Sequence, residues 1–274
     1  SSGESGAGSI FGSTFTRPTA TVFTVGNTGE TGTANKEYIA YCFHSVTGYQ
    51  KFGSYTGNGS STGPSVTTGF KPDFIMIKRI DATEDWKTID SRRGFANTLE
   101  PNENIAEETG NNSDFTFSST GFQIGDTNGD FNANGGSYIY WAIAKNVPSN
   151  TTLASSFGAV FYAGSSTNAR TISTYGFKPD LVWNKALDDS GYSHFLTDSL
   201  RGGTKVIQSN SDAAETTRAD NIQSFDSGGY TINNDGTSNY YRTSYIAWGW
   251  KAGNTWQSNF DGTQSSIVNA NTAN

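Results

Sequence analysis

The sequence predicts an all-β protein of tandem antiparallel β-sandwich modules, each about 105 residues long. Two observations carry this. A six-residue aromatic and aliphatic segment occurs three times, as Tyr38–Phe43, Tyr138–Ile143 and Tyr245–Trp250, each preceded by a loop rich in Gly, Asn, Ser and Thr. Six such residues between turn-forming flanks read as a central strand buried on both faces, and are too few for an amphipathic helix. Second, the motifs between the copies recur in the same order at an offset of 107 or 108 residues.

Residues 1–44 read as the C-terminal part of an incomplete repeat. Phe15–Gly26 aligns with Phe117–Gly125, and alternation in Phe23-Thr24-Val25 and Phe122-Gln123-Ile124 gives each a half-buried strand. A complete repeat is expected over 45–147. It starts with the alternating strand Lys51–Gly57 and passes through the turn-rich Asn58–Gly63 to Gly69-Phe70-Lys71-Pro72-Asp73. Pro72 can open a strand but not sit inside one, which places the strand at Phe74–Lys78. A strand near Trp86–Ile89 leads into Asp90-Ser91-Arg92-Arg93-Gly94. The second complete repeat, 148–252, restates the order with Gly176-Phe177-Lys178-Pro179-Asp180, Asp198-Ser199-Leu200-Arg201-Gly202 and Gly229-Tyr230-Thr231-Ile232. Residues 253–274 read as a polar connector to a further repeat, and the chain as an excerpt of a longer polypeptide. The acidic run Asn102–Thr109 is the nearest thing to a helix.

Modules of this size can each bury a core, so the expected arrangement is a row of independently cored beads. Charge narrows the partners. A net charge of −7 and an isoelectric point near 4.8 argue against a nucleic-acid surface, which needs clustered Lys and Arg. No apolar run reaches the roughly 18 residues of a membrane-spanning helix. The single cysteine, Cys42, falls in an expected core strand, where a thiol behaves as a small buried hydrophobe.

The succession Lys51-Phe52-Gly53-Ser54-Tyr55-Thr56-Gly57-Asn58-Gly59, Gly69–Asp73, Asp90–Gly94 and Gly135–Ala142 resembles the repeat modules of tail-fibre-like structural proteins of marine bacteriophages. Asp261–Thr272 is similar to the connector between such modules. The resemblance implies jelly-roll sandwiches of concanavalin-like type and a place on the virion surface. It carries no catalytic residues, so a non-enzymatic role is expected.

The best polar constellation is Asp90 with Arg93 and its repeat, Asp198 with Arg201. An Asp–Arg pair bracing a tight turn is the simpler reading, with Gly94 and Gly202 supplying positive φ. A small pocket in which Arg meets an acidic sugar or a neighbouring subunit is the alternative. Asp126, Asn128 and Asp130 have the early spacing of a calcium loop but lack its downstream Glu, so calcium is a weak cofactor candidate and no other is indicated. His44 and His194 stand in no catalytic or metal-ligating spacing, and His194 replaces Trp86, which suggests packing. The carboxylate pairs Glu84-Asp85, Glu107-Glu108 and Asp188-Asp189 are read as solvated loop charges rather than a glycosidase pair. Trp141, Trp183 and Trp248 are expected in the core, while Tyr192, Tyr240 and Tyr241 are candidate glycan contacts.

The function expected is a segment of a tail fibre or similar appendage. Its partners would be copies of itself, as a homo-oligomer such as a trimer, with other virion proteins and a host surface polysaccharide. A lectin module, a glycan depolymerase, and a capsid decoration or head fibre protein are the competing readings.

Overall fold

The computed structural model describes residues 17–26, 29–110, 115–144, 156–253 and 256–270. Phe15, Thr16 and the expected module boundary at 147–148 lie outside them. The first module contains β1 (Gln50–Thr56), β2 (Ser65–Thr67), β3 (Pro72–Arg79), β4 (Lys87–Asp90), β5 (Phe115–Ser118), β6 (Gly121–Ile124), α1 (Gly129–Asn132) and β7 (Ser137–Ala144). The second contains β8 (Phe157–Ala163), β9 (Arg170–Ile172), β10 (Leu181–Ala186), β11 (Phe195–Asp198), β12 (Lys205–Gln208), β13 (Thr216–Thr217), β14 (Ile222–Asp226), β15 (Gly229–Ile232) and β16 (Ser244–Trp250). A short hairpin follows, β17 (Gln257–Asn259) with β18 (Ser266–Val268).

Each module is an antiparallel β-sandwich. In the first, the sheet β1-β7-β3-β4 packs on β2-β6-β5. Ile75, Ile77, Phe122, Ile124, Tyr138 and Ala142 fill the space between them. In the second, β13-β12-β11-β10-β16-β8 packs on β14-β15-β9 through Val182, Ile232, Tyr230, Tyr245 and Ala247. The two recurrent segments β7 and β16 are the central strands, paired on both sides, as their unbroken apolar character requires.

The modules are not independent beads. The outer faces of the two larger sheets meet each other and bury a third apolar layer of Phe74, Trp141, Ile143, Leu181, Trp183, Ile246, Trp248 and Trp250. Residues that alternate out of each module's own core are apolar too, so a module alone would leave a broad greasy face in water. Trp141 stacks on Trp250 at 5.7 Å between ring centres, and Phe74 meets Trp248 edge-on at 5.6 Å.

The expected first copy of the central strand is corrected. Residues 38–43 form no strand, because among the described residues they have no partner strand on either side. They run extended across the edge of the third layer, with Tyr41, Phe43 and Val46 turned onto it. Tyr38 is half exposed, and Cys42, turned outward by the same alternation, is exposed rather than buried. Phe23 and Val25 are likewise exposed and in no strand. Asn102–Thr109 is not helical: it reaches across to the second module, where Glu107 N donates to Leu187 O (2.8 Å) and Asn104 O accepts from Gly191 N (2.7 Å). The single helix among the described residues, α1, instead occupies the loop with the calcium-like spacing.

Candidate functional site: the Asp-x-x-Arg turns

Asp90 ends β4 and Asp198 ends β11, and each carboxylate folds the next four residues around itself. Asp90 Oδ1 accepts from the backbone N–H groups of Arg92 (2.9 Å) and Arg93 (3.0 Å), and Oδ2 from Arg93 Nε (2.6 Å). Asp198 repeats this with Leu200 (3.0 Å), Arg201 (2.8 Å) and Arg201 Nε (2.6 Å). Gly94 and Gly202 close the turns at φ of +94° and +97°, a region costly for any residue with a Cβ. Arg93 spends its remaining donors on Glu107 (2.9 Å) and Thr88 O (3.0 Å); Arg201 meets Glu215 (3.1 Å) and Leu196 O (3.2 Å). Each Asp–Arg pair thus spans its own tight turn.

What occupies the open side of each turn is new. Trp248 of the second module donates its indole N–H to Asp90 Oδ2 (3.2 Å), and Arg93 lies 5.5 Å over its ring. Tyr41 donates its hydroxyl to Asp198 Oδ2 (2.6 Å) and accepts from Arg201 Nη2 (3.0 Å). Tyr41 and Trp248 hold the same place, fourth, in the recurrent segment. Each turn is thus a socket for a fourth-position aromatic from another repeat. Burial raises the Tyr41 hydroxyl well above the usual tyrosine range, and the Asp198 charge adds to this. The third such aromatic, Trp141, enters no socket and donates to Gln50 Oε1 of its own sheet (3.3 Å).

The chain belongs to the DUF7483 family. That family, a domain of unknown function, matches residues 2–147 and again 153–274. The DUF7483 match is thus double, as the internal repeat requires. Among curated proteins and solved structures, nothing matches the chain.

The other candidates are scattered. Asp126 Oδ1 accepts from Asn128 N (2.8 Å), Asn128 Oδ1 caps α1 through Asp130 N (3.1 Å), and Asp130 pairs with Lys87 (3.3 Å). The three side chains therefore serve local partners. Among the described residues no three His, Cys, Asp or Glu side chains gather as metal ligands. His44 is exposed, whereas His194 is fully buried and accepts at Nδ1 from Trp183 Nε1 (3.0 Å). Beside it the fully buried Lys185 donates to Ala186 O (2.8 Å). Burial pushes the Lys185 ammonium down to about 8 against the pull of Asp189, and drives His194 well below the usual imidazole range, with Lys185 and Arg93 adding to the effect. Glu107 and Glu108 are not simply solvated: the first braces Arg93 and the second pairs with Lys87 (3.4 Å). Tyr240 and Tyr241 are exposed, but Tyr192 is half-buried against the second module's core.

Sequence reasoning missed Asn132 and Asn239. Both are fully buried; Asn132 holds Asn58, Ser60 O and Asp126 O together, as Asn239 holds Ser165, Thr167 O and Asn233 O. Their shared offset of 107 was the available signal.

Proposed function

We propose that the chain is a non-enzymatic structural segment of a phage virion appendage of the tail-fibre kind. One observation supports this most. A repeated polar constellation joins modules: both Asp-x-x-Arg turns hold aromatic groups of other repeats. A catalytic pair would need an open cleft and carboxylates facing a substrate. The motif resemblance adds the virion setting, and copies of the chain with other virion proteins are the proposed partners. Immunogold labelling of particles with antibody to this chain tests the reading. Label along a tail appendage is the expected result; label over the capsid would favour a decoration or head fibre, and unlabelled particles would overturn the assignment.

A lectin reading has an observation of its own. Tyr240 and Tyr241 lie side by side at 51% and 58% exposure, with Arg242 5.2 Å over the Tyr241 ring. Aromatic groups presented this way can stack on sugars. A glycan array detects such binding, and a reducing-sugar assay on the same glycans separates binding from depolymerase activity.

A further inference from the structure

The loop end that carries Tyr240 and Tyr241 is built on one frame in both modules. Asn132 and Asn239 stitch it from full burial, and the Tyr138 and Tyr245 hydroxyls accept from the backbone N–H of Ala133 (2.8 Å) and Tyr240 (3.1 Å). Gly57 and Gly164 let it close, since a Cβ on them would fall 2.3 Å from Ala133 O and 1.8 Å from Tyr240 O. What the frame presents differs. Ala133-Asn134-Gly135 of the first module becomes Tyr240-Tyr241-Arg242 in the second, 107 residues on. At two positions both modules take left-handed backbone, and the first fills them with glycine, Gly59 (φ +65°) and Gly135 (φ +75°). The second keeps the conformation with Ser166 (φ +53°) and Arg242 (φ +69°), where a Cβ is costly. Such strain persists where the side chain gained has a use. Ser166 Oγ accepts from Tyr241 N (2.9 Å) and fixes that residue, while the Arg242 guanidinium lies 5.2 Å over the Tyr241 ring.

We infer that the Tyr240–Arg242 tip binds an acidic polysaccharide, its sugar rings stacking on the two phenol rings and a carboxylate or sulfate group meeting the Arg242 guanidinium. The site is that of the lectin reading above, on which this inference rests. Both rings are exposed, and each offers a flat apolar face beside a hydroxyl. Arg242 is exposed and, among the described residues, pairs with no carboxylate, so its planar fork of donors is available to an anion. Asp188 reaches the same end of the module, but its Oδ2 accepts from Ser244 N (2.6 Å). Thr167 and Asn168, in the loop that Asn239 and Ser166 tie to the tip, add an exposed hydroxyl and amide suited to sugar hydroxyls. The tip precedes the start of β16, at the opposite end of that strand from Trp250 and the Asp198 turn that holds Tyr41. Filled sockets therefore leave it open.

Affinity electrophoresis of the whole chain through gels holding polygalacturonate or ι-carrageenan tests this, with methyl-esterified polygalacturonate and agarose as uncharged matrices. The expected result is retardation by at least one acidic matrix and roughly tenfold weaker retardation by its uncharged counterpart. Arg242→Gly should weaken acidic retardation by about the same factor. It should not lower the thermal midpoint, because glycine takes this φ freely. Retardation that ignores the charge of the matrix, or that survives Arg242→Gly unchanged, overturns the inference and leaves the lectin reading standing. A midpoint lowered by Arg242→Gly also overturns it, since the arginine would then serve the fold. A chain that none of the four matrices retards removes both.

Discussion

Arg93 is fully buried with four partners, and its repeat Arg201 is partly open to solvent through Glu215. Removing Arg93 strands the Asp90 charge in the interior, a loss of about 3–5 kcal/mol. Arg201→Ala leaves Asp198 with the Tyr41 hydroxyl and nearer water, so a smaller loss is expected. Urea denaturation of the two variants checks the order, which fails if Arg201→Ala costs as much. Lys185 and His194 each tie stability to pH. The unfolded chain protonates this lysine at about 10.5 and this imidazole at about 6.5, above both folded values, so it binds more protons in each window. The Lys185 contribution is complete above pH 10.5 and is lost as pH falls to 8, a cost of about 3 kcal/mol. The His194 contribution is complete above pH 6.5 and falls below it by about 1.4 kcal/mol per unit. Stability measured by urea across pH 5–9, below the range in which the unfolded chain's tyrosines ionise, should show both slopes. Lys185→Met should remove the alkaline one and raise stability at pH 7, since a buried charge gives way to an apolar group of similar length.

At the scale of elements, the long apolar strands were legible, whereas β2, β13 and the β17–β18 hairpin inside the expected connector were not, since two or three mostly polar residues carry no readable period. The unbroken apolar runs at Tyr138–Ile143 and Tyr245–Trp250 are central strands, and Pro72 opens β3 as its missing N–H requires. Tyr38–Phe43 carries the same pattern and forms no strand, because pairing is a property of neighbours that a local pattern does not record. Hydrophobic alternation still orients it: Tyr41 and Phe43 turn in, Cys42 and His44 turn out. The Asp–Arg brace was legible from local spacing; its aromatic occupants were not, since Trp248 lies 158 residues from Asp90 in the chain. Loops carry their own anchors. Asn132 stitches three segments from full burial, so Asn132→Ala should cost about 2–3 kcal/mol by leaving backbone groups unpaired. Asn239→Ala should do the same, each read by thermal denaturation.

At the scale of the molecule, three apolar layers alternate with four sheets, the middle layer belonging to both modules. Two modules that share a core should melt together. Differential scanning calorimetry is expected to give one transition, with van't Hoff and calorimetric enthalpies in agreement; two resolved peaks would contradict the shared layer. Truncating Trp248 to Ala should lower that single midpoint through a loss of about 3–5 kcal/mol, rather than split it. The middle layer has one more consequence. Corresponding positions differ in bulk: Phe52 against Ala159, Met76 against Trp183, Ile143 against Trp250. Tandem repeats that fold near one another risk trading strands. Here a borrowed strand would bring an indole where a thioether fits, or a methyl where a ring is needed, so divergence in side-chain volume tells one copy from the other while the nascent chain sorts its partners.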